Sequence, residues 1–171
     1  PQYVHDVGFQ AELLQRAGVK LRDLYLLHID NQYVRRGSIE PDRRRLQPIR
    51  GLLELEVAVL AGTSDLVLNR GLGWIEGTAP IGTVGNVGIA GHRDGYFRAL
   101  KDIKFGDEIL LTTMDGVFTY KVDELNIVDP SAIEVLDDRG RASITLVTCY
   151  PFYFVGHAPE RFIVHATLQE T

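Results

Sequence analysis

Two kinds of hydrophobic pattern meet near residue 48 of the chain. Over residues 7–29, apolar side chains recur at intervals of three and four, which predicts an amphipathic helix even though Gly18 weakens it. The apolar stripe consists of Phe9, Leu13, Ala17, Leu21 and Leu24. The polar stretch 31–47 predicts a solvated linker. We therefore expect an N-terminal helical segment and linker over residues 1–48, and a separate domain over residues 49–171.

After residue 49, short apolar runs alternate with Gly, Asp, Asn and Pro. Residues 53–59 alternate with period two, which indicates a half-buried strand, and Asp115-Gly116 between two such runs indicates a hairpin. Further strands are predicted at 87–90, 108–112, 117–122, 143–148 and 162–168, and short helices at 64–68, 96–101 and 131–136. This spacing predicts a mainly β domain, closed or nearly closed into a barrel.

The composition supports a folded domain and argues against a nucleic-acid-binding protein. The chain has 171 residues, of which 45% are hydrophobic and 24% charged, with a formal net charge of -5 and no basic stripe. No apolar run approaches the ~18 residues that span a membrane, and no signal peptide is visible. Because the chain starts at Pro1 rather than Met, we expect it to derive from a longer precursor, from which an anchor or signal could have been removed.

Cys149 is the one cysteine, so the chain cannot form an intramolecular disulfide or a cysteine-ligated zinc cage. A lone cysteine is either a buried small hydrophobic residue or a working thiol. Cys149 follows the predicted strand 143–148 and precedes Pro151, which cannot donate to a sheet ladder. The thiol is therefore expected at a strand end near the surface.

Two other residues at predicted strand ends have chemistry that a thiol nucleophile needs. His92 follows the apolar run 87–90, and its imidazole can take the thiol proton and later return it to a leaving amine. Arg161 precedes the strand 162–168, and a guanidinium is a permanent cation that can stabilise an oxyanion. Each also has a simpler reading, as a capping histidine and a solvated strand-end arginine. Residue type and position alone leave both the catalytic and the simpler reading open for His92 and Arg161.

The remaining titratable residues give weaker signals. We expect no catalytic role for the other histidines, which are His5, His28, His157 and His165. Alternation along the last strand places His165 on the same face as Arg161. The acidic pairs 107–108, 123–124 and 137–138 are expected at solvated strand ends, with their members on opposite faces. No metal site is predicted.

Three motifs in order resemble the sortase family, over about residues 49 to 168. GNVGIAGHRD, residues 85–94, is similar to that family's histidine motif. TLVTCYPF, residues 145–152, is similar to its cysteine motif, most like class D and E sortases, and RFIV, residues 161–164, is similar to its arginine strand. Three motifs in family order favour the functional reading of all three residues.

The resemblance implies a sortase-type eight-stranded β-barrel with short helices and a cysteine transpeptidase activity. It assigns catalysis to His92, Cys149 and Arg161, and we predict substrate contacts for Thr148 and Tyr150. The implied reaction cleaves a Leu-Pro-x-Thr-Gly-like sorting motif after Thr through a thioacyl-enzyme and transfers the acyl group to an amine. No cofactor is implied.

The resemblance also implies partners and a place in the cell. The partners are proteins with a C-terminal sorting motif and an amine acceptor, either a cell-wall precursor or a protein lysine. The place is the extracytoplasmic face of a bacterial membrane, with the anchor not visible in this chain. One departure is Trp74, which stands where many relatives carry histidine and could alter a wall of the groove.

Three alternatives compete with this hypothesis. A cysteine hydrolase would use the same triad and release its product to water. An L,D-transpeptidase would show a Ser-x-Gly-Cys-x-Arg-like motif, whereas this chain has Thr-Cys-Tyr-Pro with the arginine further downstream. A non-catalytic barrel that binds peptide or wall polymer would keep its function in a Cys149→Ala variant.

Overall fold

The computed structural model describes residues 25–30, 57–113 and 115–169, and these residues form a β-barrel. The eight strands are β1 (Tyr25–Asp30), β2 (Val57–Ala61), β3 (Leu72–Trp74), β4 (Asn86–Ala90), β5 (Glu108–Thr113), β6 (Gly116–Val128), β7 (Ser143–Tyr150) and β8 (Glu160–Leu168). The helices are short: α1 (Asp65–Leu68) and two 3-10 helices, Tyr96–Asp102 and Ile133–Leu136. The predicted mainly β class and eight-stranded barrel are confirmed.

The strands follow the order β1-β2-β3-β4-β7-β8-β6-β5, and β5 pairs with β1 to close the barrel. The β2–β3 and β4–β7 pairs are parallel, and the other pairs in the ring are antiparallel. The parallel β4–β7 pair matters most for the site. Because both strands run in one direction, their carboxyl ends, which carry the histidine and cysteine motifs, meet at one edge.

The helix predicted over residues 7–29 is wrong at its end, because Tyr25–Asp30 is strand β1. This strand pairs with β2 on one side and β5 on the other, so long-range pairing overrides the local helical pattern. The sheet therefore begins before residue 49, and β1 is part of the barrel although it lies within the predicted N-terminal segment 1–48. Residues 7–24 and the linker 31–47 lie outside the described residues.

Alternating side chains of the strands fill the barrel, as the period-two pattern predicts. The interior is made by Leu72, Val87, Ile89, Ile109, Leu111, Tyr120, Val122, Ile144, Leu146, Val164 and Ala166, with Phe97 and Leu100 from the first 3-10 helix. Gly91 allows that helix to pack over the end of β4, because a Cβ there would lie 2.7 Å from the Phe97 ring. The tight approach fixes the chain just before His92.

Most of the other predicted elements are confirmed within a few residues. The hairpin at Asp115-Gly116 joins β5 and β6, with Gly116 at a φ of 148°. Strand β3 was missed, because three residues are too short to show a period. Its Trp74 is half-buried against the core, and its indole N–H donates to the Ala79 carbonyl at 3.3 Å. Trp74 is not among the residues that line the two pockets beside Arg161. Among the described residues, no helix has the length and apolar character needed to cross a membrane.

Candidate active site

The register of β4 and β7 brings His92 level with Cys149. Ala90 pairs with Val147 in the parallel ladder, and the Gly91 amide donates to the Val147 carbonyl at 3.1 Å. Continuing this register by two residues aligns His92 with Cys149, and neighbouring strands lie about 4.8 Å apart. Strand β7 ends at Tyr150, just before Pro151, as predicted. The thiol and the imidazole therefore meet at the same edge of the barrel.

Arg161 lies on the other side of the thiol. In the antiparallel β7–β8 pair, Cys149 is directly opposite Arg161. The guanidinium Nη1 donates to the carbonyls of Ala158 at 3.3 Å and Glu160 at 3.0 Å. Within the described residues, Nε and Nη2 have no hydrogen-bond partner. These two donors are the ones available to a charge that develops beside the thiol.

A pocket of about 250 Å³, here called the polar pocket, contains all three side chains. It is lined by His92, Arg93, Asp94, Cys149, Gly156, His157, Ala158 and Arg161. Cys149 is a free, half-buried thiol, and His92 and Arg161 are also half-buried. A thiol that shares a pocket with an imidazole and a guanidinium is an arrangement that can support acyl transfer. Elsewhere in the described chain, no three His, Cys, Asp or Glu residues are grouped closely enough to hold a metal ion.

A second depression of about 100 Å³, here called the apolar trough, adjoins the polar pocket at Arg161. Its lining is mostly aliphatic and consists of Val128, Asp129, Pro130, Ala132, Ile133, Val135, Leu136, Val147, Arg161 and Ile163. Val147, Arg161 and Ile163 come from the outer face of β7 and β8, Val128 is the last residue of β6, and the rest of the wall is the β6–β7 connection.

A chain of buried polar groups fastens the β6–β7 connection to the sheet. The Asn86 amide donates to the carbonyls of Val135 at 3.3 Å and Asp137 at 3.1 Å. The Thr145 hydroxyl donates to Asn86 Oδ1 at 2.8 Å and lies 2.8 Å from Nδ1 of His165. Burial lowers the pKa of His165, and the positive charge of Arg139 adds to this effect. His165 is thus a structural residue on the outer face that it shares with Arg161, as the alternation predicted.

Ion pairs hold the far end of the same connection. Arg139 contacts Asp123 at 3.0 Å and Glu124 at 3.0 Å, and Arg141 contacts Asp123 at 3.2 Å. The expectation that this acidic pair points to opposite faces is wrong, because a β-bulge between Val122 and Glu124 shifts the register. Burial acts to raise the pKa of Asp123, but the Thr167 hydroxyl and Arg139 outweigh it and hold the pKa below its usual value.

Thr148 and Tyr150 do not lie on the face that carries Cys149. Successive side chains of a strand point to opposite faces, so both residues flank the thiol but project the other way. Thr148 is 2% exposed, and its hydroxyl donates to the Gly91 carbonyl at 2.8 Å. This burial disagrees with the predicted substrate contact and indicates a role in holding the residue before His92.

Tyr150 packs in an aromatic cluster at the same end of the barrel. Its ring centroid lies 5.9 Å from that of Phe152, edge to face, and 6.2 Å from that of Phe162, stacked. Tyr150 is not among the residues that line either depression. Its contact with substrate stays a prediction.

Sequence reasoning did not identify Arg93, Asp94 and the loop residues Gly156 to Ala158 as part of the pocket wall. The adjacency of Arg93 and Asp94 to His92 was the available signal, although sequence neighbours often face apart. His157 was expected to have no catalytic role; it is exposed and lines the polar pocket. The sequence also did not reveal the aliphatic lining of the apolar trough, because that lining combines residues of β7 and β8 with residues of the β6–β7 connection.

Comparison with known proteins agrees with the fold and the motifs. Residues 51–169 match the Sortase domain family. Sortase D of Bacillus subtilis is 29% identical over 141 residues, covering 79% of this chain and 70% of the relative. Sortase A of Streptococcus agalactiae is 31% identical over 128 residues, covering 70% of this chain and 50% of the relative. The chain thus spans half to about two thirds of these relatives' own length.

A solved structure gives the same result at the level of the fold. The sortase D5 transpeptidase of Clostridium perfringens superposes with a TM-score of 0.68 at 24% identity, covering 95% of this chain and 88% of that chain. At this identity the likeness concerns the fold alone. With the family match across most of the chain, the barrel and the three motifs at one edge, the chain belongs to the sortase family.

Proposed function

We propose that this sortase domain cleaves a Leu-Pro-x-Thr-Gly-like sorting motif after Thr and joins the Thr carbonyl to an amine. Its family consists of cysteine transpeptidases, and the described residues supply the parts that this reaction needs. The observation that carries the proposal is that His92, Cys149 and Arg161 line one pocket, with Arg161 directly opposite Cys149 in the β7–β8 pair. Catalytic roles follow for these three residues.

In the first half of the reaction, His92 takes the proton of the Cys149 thiol, and Sγ attacks the Thr carbonyl carbon and forms a C–S bond. The carbonyl oxygen becomes negative, and Nε and Nη2 of Arg161 are the donors proposed to stabilise it. The C–N bond then breaks, with His92 as the group that protonates the leaving amine. A thioester on Cys149 and a released C-terminal fragment are the products.

The second half reverses these roles. An incoming amine loses a proton to His92 and attacks the thioester carbon, and Arg161 again stabilises the oxyanion. The C–S bond breaks as the new amide forms, and His92 returns the proton to Sγ to regenerate the thiol. Because the amine enters where the leaving group departed, the polar pocket serves both, and the apolar trough holds the apolar residues of the motif. No cofactor takes part in this scheme.

Sortase membership also supports the wider biological proposal. Sortases are generally extracytoplasmic and membrane-associated, so we place this domain at the outer face of a bacterial membrane. Its protein substrates would carry a C-terminal sorting motif. The acceptor would be a cell-wall precursor or a protein lysine, and the product an anchored or joined surface protein.

The test is a peptide library of the Leu-Pro-x-Thr-Gly/Ala kind, incubated with wild type and Cys149→Ala, with and without an added amine. We expect an amide product that requires both the amine and Cys149, detected by mass spectrometry. Hydrolysis without amide formation at any amine concentration would instead assign the domain to the cysteine peptidases. A peptide that binds but is never cleaved would favour a non-catalytic barrel.

A further inference from the structure

Arg93, the residue after His92, binds the loop between β7 and β8 (residues 151–159, here the β7–β8 loop) through three backbone carbonyls. Nη1 donates to Pro151 at 3.2 Å, and Nη2 donates to Phe154 at 2.7 Å and Gly156 at 2.9 Å. The guanidinium carbon also lies 5.9 Å from the centroid of the Phe154 ring. One planar group thereby spans six residues of the loop, which suits the rigid fork of arginine.

The β7–β8 loop has few other attachments. In the described part of the chain, the other hydrogen bonds of residues 151–157 are a local one from Phe154 to Pro151 and one from Lys101 to the Tyr153 hydroxyl. The loop tip is solvated, since Tyr153 is 72% and Val155 96% exposed. Phe152 packs against the Phe162 ring and the core, but the loop beyond it has little packing and depends strongly on its hydrogen bonds. Arg93 makes most of them.

The position of this loop affects the reacting groups in two ways. Gly156, whose carbonyl Arg93 binds, precedes His157 and Ala158, and all three line the polar pocket. The Ala158 carbonyl in turn accepts a hydrogen bond from Arg161. A displaced loop would therefore open one wall of the pocket and remove a partner that holds the catalytic guanidinium. The apolar trough lies on the other side of Arg161, against the β6–β7 connection.

We propose that Arg93 is a positioning residue that holds the β7–β8 loop as a wall of the polar pocket and so keeps Arg161 in place. The effect on turnover rests on the proposed function, whereas the attachment of the loop does not. Because the loop faces the reacting centre and not the trough, Arg93 acts on the rate after binding. Its loss lowers kcat and leaves KM for the donor peptide nearly unchanged.

The test compares Arg93→Ala and Arg93→Lys with Arg98→Ala as the matched control. Arg98 is an exposed arginine five residues further on, which reaches the same loop only through the Tyr153 ring, at 5.9 Å. Three quantities are measured: kcat and KM for a donor peptide, the rate of Cys149 alkylation by iodoacetamide, and the rate of chymotrypsin cleavage after Tyr153 and Phe154. Thermal unfolding of each variant is recorded alongside.

For Arg93→Ala we expect kcat to fall about tenfold or more, because small displacements of reacting groups are costly, with KM changed less than about threefold. Alkylation of Cys149 stays within about twofold of wild type, since the strands that hold His92 and the thiol are unchanged. Chymotrypsin cleavage of the loop accelerates. Arg93→Lys resembles Arg93→Ala, because an ammonium lacks the planar fork, and Arg98→Ala resembles wild type.

Several results would overturn the proposal. Unchanged loop cleavage in both Arg93 variants would show that the loop does not depend on this residue. Equal losses of turnover and alkylation would place Arg93 in the chemistry of the thiol itself, and full activity in Arg93→Lys would show that only its charge matters. If wild type turned over no peptide, the proposed function would fail, while the cleavage assay would still decide whether Arg93 holds the loop.

Discussion

Replacing Thr148 by valine tests how the barrel positions His92. Valine has nearly the same shape as threonine but no hydroxyl, so it removes the 2.8 Å hydrogen bond to the Gly91 carbonyl and leaves that group buried without this donor. Leaving a buried acceptor unpaired costs about 1–3 kcal/mol of unfolding free energy. At roughly 2–4 °C per kcal/mol for a chain of this size, the melting temperature falls by about 2–12 °C.

Activity is expected to fall as well, and mostly in kcat. Gly91 precedes His92, so a shift of its carbonyl moves the imidazole relative to the thiol, and we expect kcat to fall about tenfold. Thr148→Ser keeps the hydroxyl and loses only a buried methyl group, so it should cost about 1 kcal/mol and retain most of the activity. Calorimetry and steady-state peptide cleavage measure both effects.

Two outcomes would refute this reasoning. If Thr148→Val raised KM for the peptide while kcat and the melting temperature stayed at wild-type values, Thr148 would contact substrate as the sequence suggested. If the valine and serine variants lost the same stability, the hydrogen bond to Gly91 would contribute nothing and the cost would come from packing alone.

Three further predictions concern other parts of the molecule. Arg161→Lys should lower kcat at least about tenfold with little change in stability, because lysine cannot provide two donors in one plane; near-normal turnover would contradict the oxyanion role. Between pH 7 and pH 5, the free energy of unfolding measured in urea should fall less in His165→Gln than in wild type. The buried imidazole has a lowered pKa in the folded state, so the unfolded wild-type chain takes up a proton first as the pH falls through about 6.5. Equal losses in the two proteins would contradict this reasoning. Deleting residues 1–45 removes β1 and should abolish cooperative thermal unfolding, whereas deleting residues 1–22 keeps β1 and should preserve it. If both deletion variants unfolded cooperatively at the same midpoint, β1 would be dispensable.

Much of the barrel could be predicted from local pattern, and β1 shows where local pattern fails. The strands β4, β5, β7 and β8 have apolar runs bounded by turn residues, and their predicted bounds agree with the structure within about two residues. The segment that contains β1 has helical spacing of its apolar residues. Its strand conformation comes from pairing with β2 and β5, and those partners lie far away in the sequence.

The candidate site shows the same division between local and long-range information. The motifs predicted that His92, Cys149 and Arg161 belong together, and the structure places all three in one pocket. The pocket wall around Gly156 depends on the Arg93 side chain crossing to a loop about 60 residues away, which no local pattern reveals. The hydrogen bond from Thr148 to the Gly91 carbonyl also needed the structure, because it joins β7 to the end of β4, 57 residues away in the sequence.

The most direct test of the central claim is intact-mass spectrometry of the enzyme mixed with a Leu-Pro-x-Thr-Gly-like peptide and quenched with acid. The account predicts an adduct on Cys149 whose mass equals the peptide up to Thr as an acyl group, with the Gly fragment released in equal amount, and no adduct in Cys149→Ala. Addition of an amine should discharge the adduct into a new amide. Cleavage of the peptide without an adduct on Cys149, or at the same rate in Cys149→Ala, would contradict the account.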